Sequence, residues 1–117
     1  MKLDEMLIKL GCRSVDATNA RFIGDGDFYR EVVTEMLKDP GFDELGKEID
    51  SKNAKTAFET SHMLKGVIAN CGISPMYDVI VKIVELLRNG DPDYDVLKKE
   101  YADLLDKRNT ANDALAD

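Results

Sequence analysis

The stretch Ala57-Phe58-Glu59-Thr60-Ser61-His62-Met63-Leu64-Lys65-Gly66-Val67-Ile68-Ala69-Asn70-Cys71-Gly72 carries the only histidine of the 117-residue chain. On a helix each residue advances by about 100°, so residues three and four apart share a face. Ala57, Ser61, Leu64, Ile68 and Cys71 then form one stripe, which predicts a buried seam. Measured from Leu64, His62 lies roughly 160° around the helix, Gly66 roughly 200°, Ala69 roughly 140° and Lys55 roughly 180°. The imidazole is therefore expected to face solvent one turn below a glycine. Lys65 and Phe58 fall on the shoulder of that exposed face.

A glycine inside a helix costs about 1 kcal/mol relative to alanine and gives no packing in return, so Gly66 needs another reason. Access is that reason. With no side chain at i+4 and only Ala69 at i+7, the imidazole stays uncovered and a second protein's backbone can come close. An imidazole with an ordinary pKa near ~6.5 keeps a free lone pair at neutral pH and can attack phosphorus. Lys65, at i+3, can stabilise the phosphoryl oxygens as charge shifts during transfer. A lone histidine on a helix surface is by default only a solvated side chain, and Lys65 only a surface lysine. It is their neighbours that single them out.

Working outward, Asp50-Ser51-Lys52-Asn53 is polar and offers caps, so the histidine helix is expected from near Asn53 to Cys71. Gly72 supplies the left-handed residue after it, and Ser74-Pro75 reads as an N-cap followed by proline at the first helical position. So short a turn forces an antiparallel neighbour carrying Met76, Val79, Ile80, Ile83, Val84 and Leu87, ending at Asn89-Gly90. Asp91-Pro92 repeats the cap-and-proline signal. The last helix shows Tyr94, Leu97, Tyr101, Leu104, Arg108, Ala111 and Leu115 at alternating spacing, clean to Leu104, with Arg108, Asn109 and Asn112 predicting a frayed polar tail.

Upstream, Leu3, Met6, Leu7 and Leu10 before Gly11 predict a short first helix. Ser14 is the expected cap of a second, through Ile23, with Val15, Asn19, Phe22 and Ile23 on one side. Asp25 then caps a third with Phe28, Tyr29, Val32, Val33, Met36 and Leu37 on a wide apolar stripe. Asp39-Pro40-Gly41 is a turn or kink, after which Phe42, Leu45 and Ile49 either continue that helix or open another, weakened at Gly46. No segment alternates like a strand, and no repeat occurs. The expected fold is all-α: an antiparallel four-helix bundle with short additional N-terminal helices, in which residues 1–24 cover one end of a bundle spanning residues 25–115 of a single 1–117 domain.

The segment His62-Met63-Leu64-Lys65-Gly66, followed by Asn70 and Gly72, resembles the phosphoacceptor segment of histidine-containing phosphotransfer (HPt) domains, His-x-Leu-Lys-Gly with Asn-x-Gly after it. Ala20-Arg21-Phe22-Ile23-Gly24-Asp25 and Phe28-Tyr29-Arg30-Glu31 are similar to that family's upstream segments, and Val84-Glu85-Leu86-Leu87-Arg88-Asn89-Gly90-Asp91 to its downstream turn. The likeness runs from about Val15 to about Leu105. It implies that His62 accepts a phosphoryl group from a receiver-domain phospho-aspartate and passes it to another receiver, with Lys65 and Gly66 in the family's assisting positions. Lys55, Phe58, Glu59 and Ala69 are the expected docking residues. The implied partners are response-regulator receivers or a hybrid sensor kinase. The magnesium ion of aspartyl chemistry would belong to the receiver, so no metal or cofactor is expected here. Val67 and Ile68 depart from the family's small residues and Met63 from a common polar one; the last could alter the partner surface.

Composition sets further bounds. A net charge of −7 argues against nucleic acid or an anionic membrane as partner. It is awkward for docking to an acidic receiver pocket too, which the expected clustering of Lys52, Lys55 and Lys65 near His62, with most acids elsewhere, would resolve. No apolar run approaches the ~20 residues that span a bilayer. Acids within Met1-Lys2-Leu3-Asp4-Glu5-Met6 leave no signal-peptide centre, so a cytoplasmic protein is expected, with Cys12 and Cys71 as free thiols; a monomer is the simplest expected state. No phosphate loop or nucleotide signature occurs, so no kinase or ATPase activity of its own is expected. The competing reading is a docking module of the same fold that carries no phosphate. A histidine-kinase dimerisation helix pair fits poorly, because Met63 stands where an acid usually follows the histidine.

Overall fold

In the computed structural model, which describes residues 1–116, the Asn53 side chain accepts a hydrogen bond from the Thr56 amide and opens the histidine helix. That cap supplies one of the partners a helix start lacks. The described residues form seven α-helices: α1 (Leu3–Lys9), α2 (Val15–Arg21), α3 (Gly26–Leu37), α4 (Gly41–Asp50), α5 (Ala54–Cys71), α6 (Ser74–Leu87) and α7 (Tyr94–Leu115). The fold is all-helical. None of these helices is long and apolar enough to cross a membrane.

All five residues of the α5 seam are buried, with Leu64 and Ile68 fully so. Burying one such side chain stabilises by about 1.5–3 kcal/mol. Ser61 sits on this seam without penalty because its hydroxyl donates to the Phe58 carbonyl at 3.0 Å. The seam packs chiefly against α4 and α6; α6 packs in turn on α7, and α7 returns to α4. These contacts close a ring around a core that includes Phe42, Leu45, Leu64, Ile80, Ile83 and Leu104.

The question left open at Pro40 resolves as two helices. Lys38 closes α3, and the Asp39 carboxylate accepts from the Gly41 amide at 2.7 Å to start α4. Both segments nevertheless pack on α5 and α7. Gly46 has a reason that its own helix does not show: a Cβ there would lie 2.5 Å from the Tyr101 hydroxyl. Tyr101 crosses the bare backbone and donates to the Phe42 carbonyl at 2.7 Å, pinning α7 to α4.

Several expected boundaries shift. The second helix stops at Arg21, and Ile23, expected on a buried side, is 81% exposed at φ 51°. Thr18 is buried instead. Phe28, expected in the α3 stripe, is exposed. Ser74 caps nothing; its hydroxyl accepts from the Arg13 amide at 3.0 Å and ties the chain before α2 to the start of α6. Asp93, not Asp91, caps α7, accepting from the amides of Asp95 and Val96. Nor does α7 fray after Leu104. It runs to Leu115 with Ala111 and Leu115 buried, because α1 and α3 pack on it and Arg30 donates to the Leu115 carbonyl.

Cys12 and Cys71 are both buried free thiols. The Tyr29 hydroxyl donates to the Cys71 carbonyl at 2.6 Å, joining α3 to the end of α5. Burial pushes the Cys71 thiol up to about 11 and lifts the Tyr29 phenol well above its ordinary range. Both groups are neutral in the folded chain and ionise at lower pH once unfolded, so the stability linked to them is complete below about pH 8.5. The Cys71 share is lost as pH rises through about 11. Urea midpoints are expected to hold from pH 7 to about 8.5 and to fall steadily above it, Cys71 alone accounting for roughly 3 kcal/mol at full ionisation.

Candidate functional site

Position on α5 decides which side chains meet solvent. With Ala57, Leu64 and Ile68 turned into the core, His62, Gly66 and Ala69 come out on the opposite face and are all exposed, as are Lys55 and Glu59. Lys65 and Phe58 are half-buried at its shoulders. A Cβ added at Gly66 would meet nothing within 4 Å, so the space immediately over this glycine, one turn on from His62, is open.

The imidazole is not free to swing unsupported. Its ring stacks on Phe58, with centroids 5.9 Å apart and planes 23° from parallel. The guanidinium of Arg88, from the residue just past α6, lies 5.7 Å from the centre of that same Phe58 ring. Such a contact favours a cation over an aromatic face. Arg88 in turn donates to the Glu85 carboxylate, Nη2 at 2.9 Å and Nε at 3.3 Å from each oxygen. This bond, with the Arg88 charge and a smaller pull from Lys65, holds the Glu85 carboxyl below its usual range.

Arg88 and Glu85 were not singled out from sequence as site residues. A signal for them exists: across the Gly72-Ile73 turn, residues equally far from the turn come level on α5 and α6. That reflection sets Phe58 beside Leu87 and Arg88. One groove accordingly brings Lys55, Phe58 and Glu59 together with Arg88 and Gly90. Ala69 belongs to a different hollow, with Arg13, Ser14 and Tyr77, and Gly66 borders a third with Val32, Glu35 and Asp39. The expected docking residues are thus split between both ends of the His62 face. Lys52 does not join the group as a free charge, since its ammonium lies 5.7 Å from the centre of the Tyr94 ring on α7.

The far end of α5 is braced. Arg21 donates to the Asn70 carbonyl at 2.7 Å, and Arg13 grips Asp78 of α6 through two bonds of 2.6 and 2.7 Å. The guanidinium holds the Asp78 carboxyl below its ordinary range. Among the described residues, no three His, Cys, Asp or Glu side chains converge to hold a metal ion. Chemically, the face offers an accessible nucleophilic nitrogen, a lysine one turn on, an arginine across an aromatic ring, and open space above. No protein-family model, curated protein or solved structure matches this chain.

Proposed function

We propose that the chain is a phosphorelay intermediate of the histidine-containing phosphotransfer kind, built as an antiparallel four-helix bundle. His62 takes a phosphoryl group from the phospho-aspartate of a receiver domain and passes it to the aspartate of another. The observation that carries this reading is the unroofed space over Gly66 beside an exposed imidazole. The closed ring of contacts among α4, α5, α6 and α7 supports the bundle, and the His-x-Leu-Lys-Gly motif supports the chemistry.

In the transfer, a lone pair on one imidazole nitrogen forms an N–P bond while the aspartyl O–P bond breaks. The electron pair of the broken bond leaves with the carboxylate, and the proton on the other ring nitrogen passes to water. Return transfer reverses these steps. Phosphoryl transfer needs little from a protein beyond alignment and charge stabilisation, which the Phe58 stack and the Lys65 ammonium provide.

The test is to incubate the protein with a phosphorylated receiver and follow the label. Phosphate that is acid-labile and base-stable, near one per chain, is the expected result. A second reading, docking without transfer, draws on the groove that gathers Lys55, Phe58 and Glu59 beside Arg88 without including His62 in its lining. Binding to receivers with no label on the chain would establish it instead.

Gly66→Ala separates stability from function. The added methyl meets nothing, so the helix gains about 0.5–1 kcal/mol. The same methyl enters the space a receiver must occupy, and transfer is expected to slow by about tenfold or more. Thermal melting and labelling rate, measured on one preparation, should move in opposite directions.

A further inference from the structure

Arg88, one aromatic ring away from His62, is paired with a single exposed carboxylate. Arg88 bonds Glu85 through both Nε and Nη2. Resting on the phosphotransfer reading of His62, we propose that Glu85 is a positioning residue. Its carboxylate holds the Arg88 guanidinium in the uncharged protein and yields it to the phosphoryl group once His62 is charged.

The geometry favours such an exchange. Arg88 and Glu85 side chains are 51% and 58% exposed and lie three residues apart on one turn, a kind of pair that water and salt weaken. A phosphoryl group offers more charge and three acceptor oxygens, and it suits the planar guanidinium fork better than one carboxylate does. The Phe58 ring neighbours both groups, with its centre 5.7 Å from the guanidinium and 5.9 Å from the imidazole centre, so it keeps the cation one ring away from His62. Competition from Glu85 then keeps the phosphohistidine from being held too tightly to be passed on.

Potassium phosphoramidate provides a test that needs no receiver. The imidazole nitrogen attacks phosphorus, the P–N bond of the reagent breaks, and ammonia leaves with its electron pair. The half-life of phospho-His62 at neutral pH is then followed by phosphorus NMR in wild type, Glu85→Gln, Arg88→Ala and the double variant. All the substituted side chains are exposed, so circular dichroism should be unchanged. Glu85→Gln is expected to lengthen the half-life about threefold or more and Arg88→Ala to shorten it about as much, while the double variant behaves as Arg88→Ala alone. Charging should also shift the Arg88 Nε–H signal in wild type. An effect of Glu85→Gln that persists without Arg88, or no effect, overturns the inference, as does a His62 that phosphoramidate leaves unlabelled. Because the charging step bypasses receivers, failure of receivers to label the chain bears on the transfer reading alone.

Discussion

His62→Gln is expected to abolish phosphoryl acceptance, by at least about a thousandfold, while leaving the fold and receiver binding in place. A glutamine amide has a similar reach but no basic lone pair, because its nitrogen is conjugated with the carbonyl. The fold should not notice. His62 is exposed and contributes one ring stack, worth about 0.5–1.5 kcal/mol, and glutamine repays part of this through its better helix propensity. Matching urea midpoints within about 1 kcal/mol, with equal affinity for an unphosphorylated receiver and no label, would isolate the nitrogen as the reacting atom. Label persisting on the variant would place the chemistry elsewhere on the chain and end the proposal.

The second large effect falls on stability, at Gly72. This residue sits at φ 69°, where an L side chain is strained by about 1–2 kcal/mol. A Cβ there would also come within 2.6 Å of Thr18 Oγ1 and 3.0 Å of Cys12 Sγ. Thr18 is fully buried and β-branched, so it has little room to give way. Gly72→Ala is therefore expected to cost about 3 kcal/mol or more. Gly90→Ala is the matched control: its φ is 75°, and its Cβ would meet nothing within 4 Å. It should cost only the backbone component, about 1 kcal/mol. Denaturant titrations of the two variants compare crowding with strain directly, and equal losses would contradict the crowding at α2.

The α5 seam was legible because it depends on nothing but spacing: Ala57, Ser61, Leu64, Ile68 and Cys71 are buried as their numbers require. So were a polar cap within residues 50–53, which proves to be Asn53, and the left-handed Gly72, both of which express local backbone chemistry. What was not legible depends on partners distant in sequence. Gly46 looks like a weak point until Tyr101 is laid across it, fifty-five positions on. Ser74 has the chemistry of a cap but spends its hydroxyl on the Arg13 amide. The polar residues after Leu104 suggested fraying because α1 and α3, which cover that end of α7, cannot be seen from α7 itself. Arg88 was missed for a similar reason, since its place at the site comes from Phe58 on the neighbouring helix.

Two residues, Gly72 and Ile73, separate α5 from α6. Closing so short a loop costs little chain entropy, and the contacts on either side of it are close in sequence. His62, its Phe58 support, Lys65, Arg88 and Glu85 all belong to this one hairpin or to the residue that ends it. The proposed reactive surface is therefore held within one hairpin: a single reversal of the backbone sets these side chains level with one another, while the remaining helices keep its inner side dry.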